Sequence, residues 1–323
     1  MRLRHLPSCA RGKPLVPCGA MRFSVQLPTD RVDAPDEFGS AAAIAEMARA
    51  IEAAGLDACF VTDHPFPSDA FIEGGGHHAL DPFVALSFAA AATTRLRLQT
   101  HILVLPYRNP FHTASAVATL DALSGGRVTL GVAAGYLREE FEALGADFEG
   151  RNAFCDEAIR AIRAAWTEDG VHFEGSGYRA AGHTLRPKPV QQPHPPIWVG
   201  GNSKAAIRRA VELGDGWLPI PTPKQMAGFI RTAQIHDLDD LRERLAFARS
   251  HAEAVGRERP LDVCFVPFGL SMKSAEDLDP ARFAGRMAEL EAIGVTWVTL
   301  TLPCRTRADF CDRVAAFGAA LAR

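Results

Sequence analysis

Two polar residues that follow a predicted strand are the first candidates for chemistry. Asp63 and His64 stand in the phrase VTDHP, directly after the apolar run Ala58–Val61. An imidazole titrates near neutral pH, so His64 in this position is suited to moving a proton or to hydrogen-bonding the edge of a bound ring. The alternative is a structural His–Asp pair that holds a loop. The pattern makes His64 a catalytic candidate and both residues binding candidates.

A second motif has the features of a phosphate cradle. The run of Gly200, Gly201, Asn202 and Ser203 joins a predicted strand to a helix that begins near Lys204. Free N–H groups at a helix N-terminus, small glycines and a serine hydroxyl favour an anion there. A simple tight turn is the alternative. The basic residues that follow, whose ordinary role is a solvated helix face, are Lys204, Arg208 and Arg209.

The elements that must position these motifs alternate along the chain. Short β-rich runs are separated by longer helical stretches, which predicts parallel βα units. The predicted strands are Arg22–Gln26, Ala58–Val61, Leu96–Val104, Val128–Val132, Ile197–Val199, Gly216–Leu218, Leu261–Val266 and Val295–Leu300. The predicted helices are Ser40–Ala54, Pro82–Ala92, His112–Leu123, Ala153–Trp166, Ser203–Leu213, Gln225–Val255, Ala281–Ile293 and Thr306–Leu321. In a barrel of such units the chemistry lies at the carboxyl ends of the strands, where the motifs fall.

Two glycines mark matching joints between helix and strand. Gly55 in EAAGLDACF and Gly294 in EAIGVTWVT each end a helical stretch just before a strand. A left-handed position after a helix favours glycine, so the two phrases predict the same unit used twice. The turn Ser124–Arg127 leads into a strand and is therefore expected at the opposite, stability face of the barrel.

Two segments break the alternation. Val171–Pro196 is rich in Gly and Pro, which predicts a short hairpin around Gly175–Gly177 and an extended approach to the fifth strand, over or beside the barrel mouth. Residues 1–20 are basic, contain three prolines and lack the apolar core of a secretory signal, so a disordered extension is expected. Residues 21–323 then form one domain.

Composition excludes several classes of function. The formal net charge is -3, with 35 basic and 38 acidic residues spread along the chain, so nucleic-acid binding is not expected. No apolar run reaches the roughly 20 residues of a membrane span, and a cytoplasmic protein is expected. His77 and His78 have no evident third ligand, so no metal site is predicted. The seven cysteines, expected as reduced thiols, are Cys9, Cys18, Cys59, Cys155, Cys264, Cys304 and Cys311.

Several phrases together resemble a known family. They are VTDHP, LPYRNPF, ATLDALSGGRVTLGVAAGYLREEFEALG and PIWVGGNSKAAIRRAVELGDGW. In order and spacing they are similar to the bacterial luciferase-like oxidoreductases, and more narrowly to the branch that uses the deazaflavin coenzyme F420. The resemblance implies a single (β/α)8 TIM barrel. It also implies a coenzyme ring across the mouth, between the ends of strands two, three and four.

The resemblance assigns roles to residues of the third and fourth strands. Thr100, His101 and Ile102 fall where the family has a bulge, with a non-prolyl cis peptide between His101 and Ile102 behind the coenzyme ring; an ordinary buried strand is the alternative. Gly135 allows close backbone approach, and Tyr136 flanks coenzyme or substrate or else packs. Some sugar-phosphate-oxidising relatives have Glu at the tyrosine position, so Tyr136 weakens that assignment.

The coenzyme decides the reaction. Coenzyme F420 implies hydride transfer to or from a small organic substrate, with His64 and Tyr136 as the catalytic candidates. FMN implies a two-component monooxygenase instead, and a barrel that has lost turnover is an alternative from another class. The resemblance further implies a homodimer and a functional partner, either a flavin reductase or an F420-reducing enzyme. Neither a membrane nor a nucleic acid is expected as a partner.

Overall fold

The computed structural model describes residues 21–222, 233–268 and 280–321. The expected extension, residues 1–20, lies outside the described residues. The strands are β1 (Arg22–Gln26), β2 (Ala58–Val61), β3 (Arg97–Val104), β4 (Val128–Ala133), β5 (Val171–Gly175), β6 (Tyr178–His183), β7 (Ile197–Gly200), β8 (Gly216–Leu218), β9 (Asp262–Phe265) and β10 (Trp297–Leu300). All eight predicted strands are present, with ends that differ from the prediction by two residues at most.

Eight of these strands close into a parallel barrel. The order around it is β1, β2, β3, β4, β7, β8, β9 and β10, and β10 pairs again with β1. Ser24 of β1 is opposite Ala58 on one side and Thr299 on the other. The chain is therefore a (β/α)8 TIM barrel, as the sequence predicts, and the carboxyl ends of the eight strands meet at one mouth.

Helices surround the barrel between successive strands. They are α1 (Ala41–Ala53), α2 (Asp69–Glu73), α3 (Pro82–Ala92), α4 (Pro110–Ser124), α5 (Arg138–Ala143), α6 (Arg151–Thr167), α7 (Lys204–Leu213), α8 (Leu238–Ala254), α9 (Pro280–Ile293) and α10 (Arg307–Leu321). Gln225, the predicted start of α8, lies outside the described residues, but residues 233–237 are not helical and the helix begins at Leu238. Asp237 caps the helix instead, because its carboxylate accepts hydrogen bonds from the N–H groups of Asp239 and Asp240.

The two predicted glycine joints have the same geometry. Gly55 and Gly294 have φ angles of 75° and 106°. In the first joint, Leu56 N–H donates to Ile51 O; in the second, Val295 N–H donates to Leu290 O. Each bond closes the end of a helix and delivers the chain to the next strand.

The core has an inner and an outer layer. Inside the barrel, Trp198 and Trp297 meet edge to face with ring centroids 5.2 Å apart, in contact with Ala58, Leu218 and Cys264. The outer layer is formed by the inward faces of the helices. In α1 that face is made by Ile44, Met47 and Ile51, whose helical spacing matches the buried stripe, and the helix packs between α3 and α10.

The segment that breaks the alternation does not cover the mouth. As predicted, β5 and β6 form an antiparallel hairpin with Gly177 in its turn at a φ angle of 85°. Tyr178 packs on Phe111 of α4 and Phe154 of α6. The following Pro-rich run is fixed near the end of α4, where the N–H of Val190 donates to Asp121. Tyr178 is half-buried against the first turns of α4 and α6, so the insertion lies beside the barrel and not over the cavity.

The outward faces of α3 and α4 carry no exposed charge. The sequence of α3 has no charged residue, and the single one of α4, Asp121, is buried. Large apolar side chains are exposed instead: Val84 and Phe88 on α3 and Leu123 on α4. The described helices include none that is long and apolar enough to span a membrane. Cys59, Cys155, Cys264, Cys304 and Cys311 are all free thiols.

Candidate active site

A cavity of about 320 Å³ opens at the carboxyl ends of β2, β3, β4, β7 and β8. A larger hollow of about 660 Å³ between α8 and α9 contains none of the motif residues, so we place the site in the smaller cavity. Nine of the predicted site residues line it: Asp63, His64, His101, Ile102, Gly135, Tyr136, Gly200, Gly201 and Ser203. Thr100 and Asn202 do not, and both support the wall from behind.

His64 is held at the cavity wall by a buried carboxylate. Its Nδ1 lies 3.3 Å from Oε2 of Glu140, and the side chain of Glu140 is only 1% exposed. The same carboxylate accepts hydrogen bonds from the backbone N–H of Phe66, at 3.0 Å, and from the hydroxyl of Tyr107, at 2.9 Å. Glu140 thus joins the loop after β2 to the turn after β3.

The hydrogen bonds keep Glu140 ionised although it is buried. Burial acts to raise the pKa of the carboxyl group, but the bonds from His64, Phe66 and Tyr107 outweigh it, and the pKa is lowered. Burial and the nearby negative charge of Glu140 raise the pKa of the Tyr107 and Tyr136 hydroxyls. Both phenols are therefore neutral hydrogen-bond donors at neutral pH.

Asp63, predicted as a binding residue, directs its carboxylate into the protein framework. Its two oxygens accept from the guanidinium of Arg108 at 2.6 and 2.8 Å, and one also accepts from the N–H of Val104 at 3.0 Å. This bidentate pair fixes the end of β3 beside His64. Asp63 therefore holds the ends of β2 and β3 together.

The third strand has the bulge that the resemblance implies. The register between β3 and β4 shifts between Thr100 and Leu103, and the peptide bond between His101 and Ile102 is cis. Thr100 is buried and its hydroxyl donates to the carbonyl of Gly131 on β4, at 2.8 Å. His101 lies against Phe60 with ring centroids 4.9 Å apart, and burial lowers its pKa to about 4. His101 is therefore a neutral imidazole in the cavity wall.

Glycine is required at the end of the fourth strand. Gly135 has a φ angle of 81°, and a Cβ there would lie 2.6 Å from Val104 and 2.8 Å from Phe141. The tight turn places the next residue, Tyr136, in the cavity wall, with its ring 6.4 Å from that of His64. The two predicted catalytic residues thus lie at the same end of the cavity.

The opposite end of the cavity is built from the N-termini of α6 and α7. Ser203 caps α7, and its hydroxyl accepts from Ala206 N–H at 3.1 Å. The N–H groups of Lys204 and Ala205 have no acceptor among the described residues, as expected for a first helical turn. Asn202 is fully buried and fixes the loop after β8, because its amide donates to Ile220 O at 2.8 Å. This end of the cavity is therefore rich in free donors.

Two arginines complete the donor-rich end. Arg209 of α7 is buried; its Nε binds Asp156, and its Nη2 donates to the carbonyl of Asn152 at 2.9 Å. Arg151 begins α6, and its Nη1 donates to Phe148 O at 2.6 Å. In each case the remaining terminal nitrogen has no protein acceptor in the part of the chain that the structure describes. Each arginine therefore keeps one donor for a bound anion.

The other predicted cations point away from the cavity. The ammonium of Lys204 and the guanidinium of Arg208 lie 5.3 and 5.6 Å from the ring centre of Phe247 on α8. Only Arg209 of the three basic residues lines the site.

Sequence reasoning missed Glu140, Tyr107, Arg108, Arg151 and Asn152. Glu140 and Tyr107 do stand inside phrases that carry the resemblance, LREEFEALG and LPYRNPF, which was the available signal. His77, set aside as a metal ligand, packs its ring against His64 with centroids 4.9 Å apart. The described residues hold no cluster of metal-ligating side chains.

Comparison with known proteins agrees with this architecture. The family profile of luciferase-like monooxygenases matches residues 21–282. The chain belongs to the luciferase-like monooxygenase family. Members related to it use two different coenzymes, as the following relatives show.

Two relatives of the family define the alternatives. The chain is 35% identical over 190 residues to an FMNH2-dependent dimethylsulfone monooxygenase of Pseudomonas putida, a match that covers 58% of this chain and spans only 50% of that enzyme. It is 28% identical over 288 residues to an F420-dependent glucose-6-phosphate dehydrogenase of Amycolatopsis mediterranei, covering 83% of each. A solved structure, a monooxygenase of Streptomyces bottropensis, has the same fold, with a TM-score of 0.73 at 22% identity, over 94% of this chain and 99% of that one.

Proposed function

We propose that this luciferase-like protein transfers hydride between coenzyme F420 and a small organic substrate. The observation that carries the proposal is the pairing of His64 with Glu140 at one end of a cavity whose other end is rich in anion donors. A proton-handling group and an anchor for an anionic coenzyme then share a single pocket.

The residues present fit such a coenzyme. A cavity of this size is in the range of small-molecule sites, and the glycines at its wall leave room for a backbone approach. A Cβ at Gly200 would lie 3.3 Å from Ile102, and Gly201 has a φ angle of 115°. We assign the phosphate to the α7 N-terminus and the two arginines, and the ring to the wall formed by His101, Ile102 and Tyr136.

Bound deazaflavin supplies hydride transfer without oxygen chemistry. The protein supplies orientation and the proton. With Nδ1 directed to Glu140, Nε2 of neutral His64 accepts a proton from a substrate hydroxyl, and in the reverse direction the protonated ring returns it to a carbonyl oxygen. Tyr136, whose hydroxyl stays protonated, is placed to donate a hydrogen bond to the same substrate oxygen.

A specific observation supports each coenzyme. The alignment with the F420-dependent relative covers 83% of both chains, whereas that with the FMNH2-dependent enzyme covers half of the latter. The higher identity, 35% against 28%, favours FMN and keeps a two-component monooxygenase as the second candidate. That enzyme would depend on a flavin reductase. The F420 enzyme would depend on a reaction that supplies reduced F420 only where it reduces its substrate.

A parallel fluorescence titration of purified protein with F420 and with FMN tests the proposal. Tight F420 binding with weak FMN binding supports it, and a substrate screen with alcohols, imines and activated alkenes follows. Preference for FMN supports the monooxygenase. Binding of neither coenzyme contradicts both and favours a barrel that has lost turnover.

A further inference from the structure

His64 has two ring nitrogens in different environments. Nδ1 faces the carboxylate of Glu140, whereas Nε2 has no hydrogen-bond partner among the described residues of the cavity. We propose that Glu140 is the positioning residue of His64: its carboxylate holds the proton on Nδ1, leaves Nε2 free toward the cavity, and stabilises the ring when it becomes protonated. A neutral imidazole has one donor and one acceptor nitrogen, so fixing one fixes the other.

The carboxylate is itself held in place. Oε1 accepts from Phe66 N–H, and Oε2 accepts from both Tyr107 and His64. With a side chain 1% exposed, Glu140 is shielded from bulk solvent. Its charge is therefore directed at His64 and is only weakly screened. The Tyr107 hydroxyl shares Oε2 and draws part of that charge away from the imidazole.

Four other polar groups lie around His64 or next to its neighbours. His77 packs its ring edge against His64, and its own Nδ1 donates to His78 O. Tyr136 keeps its proton, and the Asp63 carboxylate is paired with Arg108. Asp30 lies near His77, and burial raises its pKa. Among the described residues, Glu140 is the one carboxylate in hydrogen-bond contact with His64.

Histidine titration by NMR tests the inference without coenzyme or substrate. The full chain is labelled with 15N-histidine, and the His64 signals are assigned with His64→Gln. In Glu140→Gln, which keeps the shape and removes the charge, the pKa of His64 is expected to fall by about 1 unit or more. In Tyr107→Phe, which frees Oε2 for the imidazole, the pKa is expected to rise. Glu139→Gln, an exposed neighbour on α5, is the matched control and leaves it unchanged.

Two NMR results would overturn the inference. A His64 pKa in Glu140→Gln equal to that of the wild type overturns the inference, and so does a neutral ring protonated on Nε2 in the wild type. Should Glu140→Gln fail to fold, Tyr107→Phe still decides, because an unchanged or lower pKa overturns the inference as well.

The catalytic part rests on the proposed function. Glu140→Gln is expected to lower kcat at least about 10-fold with little change in KM, and to move the acidic limb of the pH profile down with the His64 pKa. Glu140→Asp, which restores the charge, is expected to recover part of kcat. If no substrate is turned over by any variant, the proposed function fails while the NMR result stands.

Discussion

Replacement of Arg209 tests which basic residues hold the coenzyme. Arg208 and Arg209 are adjacent on α7 but face opposite ways: Arg209 is buried at the cavity, and Arg208 is exposed beside Phe247. The substitutions Arg209→Met and Arg208→Met therefore remove the same charge from neighbouring positions. Only the first removes a donor from the proposed phosphate site.

The size of the effect follows from the contacts. A hydrogen bond to a charged group contributes about 1.5–3 kcal/mol, so losing the free Nη1 of Arg209 should weaken coenzyme binding about 10- to 150-fold. Arg208→Met should change the dissociation constant less than about 2-fold at 0.15 M salt, where exposed charges are screened beyond about 8 Å. Arg209→Met also leaves Asp156 without its partner, but that carboxylate is 37% exposed and gains water, so folding should survive.

The assay is fluorescence titration with F420 and FMN at two ionic strengths, alongside thermal unfolding. Wild-type affinity should weaken as salt is raised, and the weakening should be smaller in Arg209→Met because one charge pair is absent. Equal losses of coenzyme affinity in Arg209→Met and Arg208→Met would indicate nonspecific electrostatic attraction instead of a specific binding site. A folded Arg209→Met that binds within about 3-fold of the wild type would refute the assignment of the phosphate to this end.

Three further predictions concern stability and assembly. Gly135→Ala should lower the free energy of unfolding in urea by about 2–4 kcal/mol, because of the positive φ angle and the clash with Val104 and Phe141. Gly145→Ala, at a φ angle of 68° and with open space around it, should lower it by only about 1–2 kcal/mol. Equal losses in the two variants would exclude the clash. His101 is neutral in the folded state down to about pH 4, but in the unfolded chain it binds a proton below about pH 6.5. Because the unfolded state binds more protons between these values, the free energy of unfolding should fall by about 2 kcal/mol from pH 7 to pH 5. His101→Gln should remove that part of the loss, as measured by urea titrations at both pH values. If the protein is a dimer through the uncharged face of α3 and α4, Phe88→Lys should give monomers in light scattering. Val255→Lys, which changes an equally exposed apolar residue elsewhere, should leave the dimer intact. A dimer in both variants would place the interface on another surface.

The barrel was predictable because its signals are local. Strand ends, glycine joints such as Gly55 and Gly294, and the caps of helices are each set within a few residues. The error at α8 shows the same rule, because Asp237 is a readable cap that the prediction passed over. Whether the insertion lies over or beside the mouth could not be decided from such local signals. Its position depends on aromatic contacts between Tyr178 and helices that lie far away in sequence.

The site residues also divide into those that local sequence predicts and those that depend on distant contacts. His64 and Gly135 follow strand ends, so the fold itself carries them to the cavity, whereas His101 lies within β3 and was assigned from the resemblance. Glu140 was missed because it acts from 76 residues away in sequence on His64. Arg208 and Arg209 are adjacent on α7, and only their burial in the structure distinguishes the arginine that lines the cavity from the exposed one.

The two ends of the cavity are built by different elements, and this separation has a functional consequence. The proton end joins β2 to α5 through His64 and Glu140. At the anion end Arg209 joins α7 to α6, and Arg151 joins α6 to the end of β4 through the carbonyl of Gly135. No hydrogen bond in the described residues connects the one pair to the other. Loss of an arginine should therefore weaken coenzyme binding and leave the titration of His64 as it is, and loss of Glu140 should do the reverse. A protein in which both substitutions altered both properties would have one coupled network, and the assignment of separate roles to the two ends would fail.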